Sequence, residues 1–362
     1  MSKKLVLISA GGTGGHMSPA AALADDLKSR DVRVELVTDP RGVKFLSMFK
    51  DVKSHTVKSG TSHAGITGKI KGAFNLAYGV VHGYFLVKSL KPDLVIGFGG
   101  YPSVPAVYAA QKQGIKTIIH ESNAVIGKAN IFLAPDADRI VLSMPYMAGL
   151  DKEDTLKCVI TGNPIRAEIA QIADEPYPEI TDKVRILIMG GSLGASILSK
   201  VIPETLVNLP EEKRARFDIV QQAREEDVET VKQTYENAGI KAHIAPFFED
   251  AAEQIKRCHL FVGRSGASTV AEISAAGRPA IYIPLKVHAD EQQKKNTRQA
   301  RQAGAAWVID QDDFSPDTLG DLISQFLDDP EMLREAAAHA KTCGKPDAAR
   351  RLGNLVTALI DS

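Results

Sequence analysis

Two glycine-rich segments, each directly after a short apolar run, constrain the fold of this chain most strongly. The run LVLIS at 5–9 leads into GGTGGH at 11–16, and VRILIM at 184–189 leads into GGSLGA at 190–195. A buried parallel strand, a tight glycine turn and a helix amino terminus form a place that favours anions, because backbone N–H groups point outward there. The sequence therefore predicts two similar domains, each with a phosphate-binding loop.

Apolar runs and helical patterns alternate along nearly the whole chain, which is typical of parallel sheets with helical crossovers. Helices are expected after most of the apolar runs, and Ser18 and Pro19 predict an N-cap and first position for one of them. The predicted strands lie at 5–9, 32–38, 94–97, 117–120, 139–142, 185–189, 217–220, 260–263, 280–284 and 305–309. The predicted helices include 20–27, 195–206, 269–276, 292–303 and 347–360.

A stretch rich in proline and acidic residues, 163–183, separates the two halves. The chain of 362 residues is longer than one typical domain. We therefore predict an α/β protein with domains at 1–163 and 164–345. The terminal segment 346–362 is expected to form a helix that packs back on the first domain.

Composition excludes several classes of protein. Hydrophobic residues make up 44% and charged residues 24%, as in ordinary soluble proteins, and no run of about 18 apolar residues predicts a membrane span. Residues 5–9 are too short for the apolar part of a signal peptide. Cys158, Cys258 and Cys343 lack metal-ligand or disulfide spacing, so we expect reduced thiols. Nine Lys or Arg against one Asp in 40–91 indicate an anionic partner surface for the first half. No aromatic-stacking motif accompanies them, so nucleic-acid binding is not expected.

Neither glycine segment is a dinucleotide-binding GxGxxG or a Walker A motif, which argues against NAD(P), FAD and ATP. A third glycine segment, GFGGYPS at 97–103, also follows a predicted strand. All three would lie at the carboxyl ends of strands, where open α/β sheets bind their ligands. Phosphate-bearing substrates are the ligands that this pattern favours.

A further segment, GRSGASTVAE at 263–272, carries side chains suited to a nucleotide. Arg264 could balance phosphate charge, and Glu272 could hold a ribose diol or simply complement the helix dipole. Gln293 and Asn296 lie three residues apart on one helix face. Their amides are suited to sugar hydroxyls, with a solvated polar face as the alternative.

An apolar stripe in 63–91 predicts an amphipathic helix. Lysines stand within and after the stripe, an arrangement that can lie at a membrane surface with anionic head groups. The alternative is a helix packed on its own sheet, and we expect part of the stripe to be buried and 66–74 to be presented. The stripe consists of Ile66, Ile70, Phe74, Tyr78, Val81 and Phe85, with Lys69, Lys71, Lys88 and Lys91 as its basic residues.

Taken together, these motifs resemble the MurG family of bacterial glycosyltransferases. The resemblance rests on GGTGGH (11–16), GFGGYPS (97–103), HESN (120–123), GNPIR (162–166), GGSLGAS (190–196) and GRSGASTVAEISAAG (263–277). It implies a GT-B fold, in which two Rossmann-like, doubly wound parallel-sheet domains face a cleft. It also implies inverting transfer of GlcNAc from UDP-GlcNAc to undecaprenyl-pyrophosphoryl-MurNAc-pentapeptide (lipid I), giving lipid II for peptidoglycan.

The resemblance assigns substrate contacts residue by residue. The first glycine loop would lie near the transferred sugar and the acceptor pyrophosphate, and most of the second domain's contacts would hold the donor. Ser122 departs from the family, which usually has Gln there. The implied substrate-binding residues are Thr13, Gly14, Gly15, Asn123, Arg166, Ser192, Phe248, Ala267, Ser268, Thr269, Val270, Ala271, Glu272, Gln293 and Asn296.

Inverting transfer needs a base for the acceptor hydroxyl and N–H-rich surroundings for the departing diphosphate. We favour His16 as the base because it ends the first glycine loop and a neutral imidazole has a suitable pKa. Glu121, at the end of another strand, is the alternative, and His16 would then bind acceptor phosphate. We expect no metal and no cofactor, since no DxD motif stands in a candidate site.

The resemblance also implies a peripheral location at the cytoplasmic face of the inner membrane, with divisome or cytoskeletal proteins as possible partners. Two other functions stay open at this point. A UDP-GlcNAc 2-epimerase of the same fold would act without an acceptor. A non-catalytic nucleotide-sugar-binding subunit would require a partner chain, although both halves of the expected site occur in this one.

Overall fold

The computed structural model describes residues 3–60, 66–191, 196–286 and 291–362. Contacts divide the chain into two compact units, Met1–Arg166 with Asp347–Ser362, and Ala167–Pro346. Each unit is built on one parallel sheet.

The sheet of the first unit has seven strands among the described residues, and most helices of this unit lie in the connections between them. The strands are β1 (Leu5–Ser9), β2 (Arg33–Thr38), β3 (Lys53–Thr56), β4 (Leu94–Gly97), β5 (Lys116–Glu121), β6 (Arg139–Leu142) and β7 (Cys158–Ile160). The helices are α1 (Gly14–Ser29), α2 (Ile66–Leu90), α3 (Val104–Lys112), α4 (Lys128–Leu133) and α5 (Lys152–Thr155), with 3₁₀ turns at Val43–Met48, Tyr101–Ser103 and Ala134–Asp136.

The second unit contains six strands. The strands are β8 (Val184–Met189), β9 (Phe217–Gln222), β10 (Lys241–Ala245), β11 (Leu260–Gly263), β12 (Ala280–Tyr282) and β13 (Ala306–Val308). The helices are α6 (Ala167–Gln171), α7 (Ser196–Val207), α8 (Glu211–Arg214), α9 (Val228–Asn237), α10 (Ala251–Arg257), α11 (Ala267–Ala275), α12 (Gln292–Asn296), α13 (Arg298–Gln302), α14 (Pro316–Asp328) and α15 (Glu331–Cys343); α16 (Ala348–Asp361) returns to the first unit.

The strand orders are β3-β2-β1-β4-β5-β6-β7 and β10-β9-β8-β11-β12-β13, with every pair parallel. In each sheet the order reverses beside the first strand, which is the doubly wound Rossmann arrangement. The predicted α/β class with two doubly wound parallel sheets is therefore confirmed.

Three strands were not predicted, namely β3, β7 and β10. Each lies at an edge of its sheet. Edge strands are partly exposed, so they can lack the continuous apolar run that marks a buried parallel strand. The fourth edge strand, β13 (AWV), has such a run and was predicted. The sequence of β3, KSHT, contains no large apolar residue at all.

The first helix begins earlier than predicted. Thr13 is its N-cap, and Pro19 lies inside the helix instead of opening it after Ser18. The glycine loop therefore runs directly into α1. The predicted helix 292–303 is in fact two helices that meet at Thr297, whose hydroxyl donates to the carbonyl of Lys294 at 2.7 Å. Such a local bond competes with the helical ladder and interrupts it.

The terminal helix α16 packs on α1. Leu352, Val356 and Ile360 belong to the same buried core as Leu23 and Leu27 of α1. At the rim, the guanidinium of Arg30 donates to the side chain of Asn354 at 2.7 Å and to the carbonyl of Arg350 at 3.0 Å. Residues far apart in sequence thus complete the core on one face of the first sheet.

Helix α2 buries three of its glycines and Val87, whereas six of its large residues are exposed. Gly72, Gly79 and Gly83 are buried, and a Cβ at Gly79 would lie 1.9 Å from the carbonyl oxygen of Lys58. A Cβ at Gly83 would lie 2.7 Å from the carbonyl oxygen of Pro105. The glycines therefore let the helix backbone lie directly on its neighbours. The exposed large residues of the helix are Ile70, Phe74, Tyr78, Val81, Tyr84 and Phe85.

Residues of the predicted apolar stripe therefore lie on the surface, as we expected for 66–74. Lys71 is exposed as well. Ile66 and Lys69 belong to α2, but their side chains lie outside the described part of the structure. Ile70 and Phe74 are 65% and 71% exposed, as predicted for 66–74. The expectation that the rest of the stripe is buried is wrong, because Tyr78, Val81 and Phe85 are exposed as well.

Candidate active site

Three of the predicted segments meet at the carboxyl edge of the first sheet. The first glycine loop follows β1, residues 98–103 follow β4, and residues 122–123 follow β5, whose last residue is Glu121. These three strands are neighbours. A Cβ at Gly11 would lie 2.8 Å from Cβ of Pro102, and the hydroxyl of Ser9 donates to the carbonyl of Pro102 at 3.3 Å. The two glycine segments are therefore packed closely together.

Thr13, Gly14 and Gly15 form the amino end of α1. Thr13 has an extended backbone (φ −136°), and both Thr13 and Gly15 are exposed. A helix amino terminus that faces solvent favours anions through its N–H groups and dipole. The position agrees with the expected contact to a phosphate-bearing acceptor, which stays a prediction for these residues.

His16 lies in the first turn of α1 and is held by the loop itself. Its Nδ1 lies 3.3 Å from the carbonyl oxygen of Gly11, and a Cβ at Gly100 would lie 3.2 Å from its Cε1. A carbonyl oxygen only accepts hydrogen bonds, so the neutral ring carries its proton on Nδ1 and a lone pair on Nε2. Burial lowers the pKa of His16. The negative charge of Glu121 partly offsets this shift, and the positive charge of Arg41 adds to it. The ring is therefore neutral at pH 7 and able to accept a proton.

Glu121 is almost fully engaged with its own loop. One carboxylate oxygen accepts from the backbone N–H of Asn123 at 3.0 Å and from the side chain of Asn123 at 3.2 Å. The other accepts from the N–H of Gly127 at 2.9 Å and from the side chain of Asn130 at 2.8 Å. Four donors thus surround a carboxylate that is 5% exposed. This arrangement shapes the loop that carries Asn123.

His120 lies beneath this loop in a polar cluster. Its Nε2 lies 3.2 Å from the hydroxyl of Ser143 and its Nδ1 lies 3.5 Å from that of Ser122. Both hydroxyls are within reach of Asn163, at 3.4 and 3.3 Å. Burial, together with the neighbouring His16, lowers the pKa of His120 to about 3, so this ring is neutral. Ser122, where the family usually has Gln, thus connects β5 to the segment 162–166 that ends in the half-buried Arg166.

Asp39 and Arg41 were not among the predicted site residues, although they also lie at this edge of the sheet. Asp39 follows β2 and accepts from the backbone N–H of Gly12 at 2.9 Å and of Gly42 at 3.0 Å. Ser59 donates to its second oxygen at 3.1 Å, and Nε of Arg41 at 2.8 Å. A carboxylate directly after a predicted strand and next to a glycine loop was the indication that could have revealed it.

In the second unit, α11 carries the predicted donor contacts. Gly266 is its N-cap, and Ser268, Thr269 and Ala271 are half-buried. Ala267 and Val270 are buried in the unit, so a ligand would meet their backbone. The carboxylate of Glu272 lies in the second turn and is 9% exposed.

Arg264 does not point its guanidinium into open space. Nη1 donates to the carbonyl of Ile283 at 3.0 Å, and Nη2 donates to the side chain of Gln311 at 2.8 Å. Burial lowers the pKa of Arg264. The side chain thus joins the ends of β11 and β12 to the segment after β13, and its suggested contact to phosphate has no support in this geometry.

The polar side chains around α12 hold the loop before it. The hydroxyl of Ser265 donates to the carbonyl of Gln293 at 2.9 Å, and the amide of Asn296 donates to the carbonyl of Ser265 at 3.2 Å. The amide oxygen of Gln293 accepts from the N–H of Leu285 at 2.9 Å. Gln293 and Asn296 therefore stand on one side of α12, as predicted from their spacing, and both bind backbone in this structure.

Phe248 is buried and its ring lies 5.5 Å from that of His243. The side chain of Gln222, at the end of β9, donates to the carbonyl of Pro246 at 3.0 Å. This bond fixes the start of the segment for which we expect a uracil contact. Ser192, the expected contact to donor phosphate, lies outside the described residues.

Two further features bear on the type of site. Across 3–60, 66–191, 196–286 and 291–362, no three His, Cys, Asp or Glu side chains are grouped so that they could hold a metal ion. None of the helices in these ranges combines the length and the apolar character that a membrane span requires.

Comparison with known proteins decides the family. Residues 6–142 match the glycosyltransferase family 28 N-terminal domain, and residues 185–352 match the C-terminal domain. A Rhodospirillum centenum protein is 44% identical over 98% of this chain and 94% of its own length. A Caulobacter vibrioides protein is 41% identical over 98% of both. Both are named UDP-N-acetylglucosamine--N-acetylmuramyl-(pentapeptide) pyrophosphoryl-undecaprenol N-acetylglucosamine transferase. The chain belongs to the MurG family of glycosyltransferases.

A solved MurG structure, from Acinetobacter baumannii, is also similar to this chain. It has a TM-score of 0.80 at 28% identity and covers 98% of this chain and 99% of its own. The fold is accordingly the GT-B fold of the MurG family. A UDP-GlcNAc 2-epimerase from Neisseria meningitidis has a TM-score of 0.66 at 15% identity, which shows a shared fold alone.

Proposed function

We propose that this protein transfers GlcNAc from UDP-GlcNAc to undecaprenyl-pyrophosphoryl-MurNAc-pentapeptide, with inversion at the anomeric carbon. The observation that carries the proposal is the identity of 41 to 44% over nearly the full length to proteins named for this transfer. The product would be lipid II, the disaccharide precursor of peptidoglycan.

His16 is the general base in this proposal. Its Nε2 accepts the proton of the acceptor hydroxyl while the hydroxyl oxygen forms the new bond to the anomeric carbon. The bond between that carbon and the diphosphate breaks at the same time, and UDP leaves with the electron pair. The lone pair on Nε2 and the lowered pKa of His16 support this role, since the base must be unprotonated to act.

Glu121 is the weaker candidate for the base. Its two oxygens already accept four hydrogen bonds from its own loop. Proton transfer to such a carboxylate would break bonds that hold Asn123 and Asn130 in place. We therefore assign Glu121 to the shape of the acceptor-side loop and His16 to proton transfer.

The donor is proposed to bind the second unit. The backbone at the amino end of α11 would hold its diphosphate, Glu272 its ribose and the segment around Phe248 its uracil. Helix amino termini can stabilise the charge on departing UDP without a metal ion. We propose that no metal or other cofactor is required.

Radiolabel transfer from UDP-[14C]GlcNAc to a short-chain lipid I analogue, by purified protein in EDTA, tests the reaction. Labelled disaccharide lipid together with released UDP is the expected result. Conversion of UDP-GlcNAc without acceptor would instead indicate a 2-epimerase, and binding without turnover a non-catalytic subunit. Activity that appears only after Mg²⁺ is added would contradict the proposal that no metal is required. It would leave the proposed transfer reaction standing.

We further propose that α2 docks the protein on the anionic cytoplasmic face of the inner membrane. The support is that the glycines of this helix face the protein, while the large apolar side chains of Ile70, Phe74 and Phe85 are exposed. An exposed apolar stripe beside lysines can enter the head-group region while the lysines meet anionic lipid. Divisome or cytoskeletal proteins are additional partners that the family suggests.

Sedimentation with vesicles tests the membrane surface. Charge reversal at Lys69 and Lys71, or Phe74→Ser, should weaken binding to vesicles that contain anionic lipid and spare turnover of a soluble acceptor. Lys232→Glu, at an exposed position of α9 in the second unit, is the matched control. Intact vesicle binding in the α2 variants would place the docking surface elsewhere.

A further inference from the structure

The segment after β2 carries a cation whose direction is set by a buried carboxylate. Asp39 is 2% exposed in its side chain, and one of its oxygens accepts from Nε of Arg41 at 2.8 Å. Its other oxygen accepts from the N–H groups of Gly12 and Gly42. Asp39 therefore fixes the glycine loop and the Arg41 side chain relative to each other.

The guanidinium of Arg41 lies over the glycine loop. A Cβ at Gly12 would be 3.4 Å from Nη2 of Arg41, and Gly12 has a φ of +79°, which glycine adopts without strain. Among the described residues, Arg41 donates only through Nε, and its side chain is 48% exposed. Nη2 thus lies beside Gly12, in the loop that leads into α1, on a side chain that is half exposed.

The needs of Asp39 alone do not explain this pair. Its buried carboxylate also accepts from the N–H groups of Gly12 and Gly42 and from the hydroxyl of Ser59. An arginine held through Nε instead presents its two Nη groups as a fork that matches two phosphate oxygens. The ring of Phe45, from the same segment after β2, lies 3.6 Å from where a Cβ of Gly14 would be.

We propose that Arg41 binds the pyrophosphate of the lipid-linked acceptor, and that Asp39 is a positioning residue that aims the guanidinium at Gly12. This inference rests on the proposed function, because that function supplies an acceptor with a pyrophosphate. Arg41 would contribute the positive charge, and the first turn of α1 the N–H donors.

Steady-state kinetics of Arg41→Gln, with the acceptor and donor varied separately, test the proposal. We expect the KM for a pyrophosphate-linked acceptor to rise about tenfold, as for loss of one charged hydrogen-bonding partner. The KM for UDP-GlcNAc should stay within about twofold. With an acceptor analogue that carries one phosphate, the difference between wild type and variant should shrink. Arg139→Gln, at an exposed arginine that begins β6, is the control.

Equal losses with the pyrophosphate and monophosphate acceptors would overturn the assignment, as would a change in donor KM alone. If the wild type transfers no GlcNAc, the proposed function fails, and binding of inorganic pyrophosphate then tests Arg41 separately. An unchanged Kd for pyrophosphate in Arg41→Gln would overturn the inference in that case. For Asp39→Asn, we expect a raised acceptor KM in protein that folds, and an unchanged KM would remove its positioning role.

Discussion

Nδ1 of His16 lies 3.3 Å from the carbonyl oxygen of Gly11, five residues earlier in the same glycine loop. One short segment therefore supplies both the proposed base and the acceptor that fixes its tautomer. Because the loop bends back through Gly12 before α1 begins, the imidazole can reach the start of the loop. This geometry leaves Nε2 as the basic atom.

Replacement of His16 by Ala should lower kcat by at least about tenfold, because the acceptor hydroxyl loses its general base. The KM for UDP-GlcNAc should change little, since the donor is proposed to bind the second unit. Turnover of a soluble acceptor by folded protein measures this. His339→Ala, at an exposed position of α15, is the control. An unchanged kcat would remove His16 from the role.

The pH dependence of kcat should place the acidic limb below pH 6.5, because burial lowers the pKa of His16 from 6.5. The base acts when it is unprotonated, so the rate should hold as the pH falls towards 6.5 and drop only at lower values. Measurements on a soluble acceptor between pH 5 and 8 would determine the limb. A limb clearly above pH 6.5 would show that another group titrates.

Replacement of Glu121 by Gln should destabilise the loop it holds. A glutamine amide would turn an N–H₂ group towards donors that now face a carboxylate oxygen, at a cost of about 1 to 3 kcal/mol. Thermal unfolding should show a lower Tm. If His16 is the base, the acidic limb of kcat should persist and move to lower pH, because the negative charge of Glu121 raises the pKa of His16. Loss of that limb together with an unchanged Tm would favour Glu121 as the base instead.

Replacement of Glu272 by Ala should raise the KM for UDP-GlcNAc, because the ribose diol loses its carboxylate partner. The effect should vanish with a 2′,3′-dideoxyribose analogue, which has no diol to hold. An equal loss with both donors would contradict a ribose contact and leave Glu272 as a structural residue of α11. The thermal stability of the variant is the control for folding.

Replacement of Gly79 by Ala should destabilise the first unit by about 1 to 3 kcal/mol, as expected for overpacking of a close contact. The added Cβ would lie 1.9 Å from the carbonyl oxygen of Lys58, so α2 would have to move away. Urea unfolding measures the change. Ser89→Ala, at an exposed position of the same helix, should stay within about 0.5 kcal/mol. Equal stability of both variants would mean that α2 does not pack through its glycines.

The central strands could be predicted from the sequence because their apolar runs are continuous, as in β1 (LVLIS) and β8 (VRILIM). Three of the four edge strands were not predicted. A strand such as β3 (KSHT) is defined by the neighbour it pairs with and not by its own composition. The same distinction applies to α2. Its spacing predicted a helix with an apolar stripe, but the periodicity could not say which face the glycines would occupy.

The candidate site divides in a similar way. The glycine loops, His16 and Glu121 stand directly after predicted strands, so the sequence placed them at one edge of the first sheet. The hydrogen-bond partners of each side chain could not be predicted from the sequence. Asp39 joins the glycine loop through contacts across 27 residues, and Ser122 meets Asn163 across 41 residues.

The sequence by itself determined the two doubly wound sheets and the edge at which the glycine loops lie, because local apolar runs and glycine turns encode them. It also carried the motifs that mark the MurG family. Only the tertiary structure decided that Asp39 orients Arg41, that four donors occupy Glu121, and that α2 exposes its aromatic residues. These outcomes depend on which groups from distant segments come within hydrogen-bond or van der Waals distance, and no local pattern specifies that.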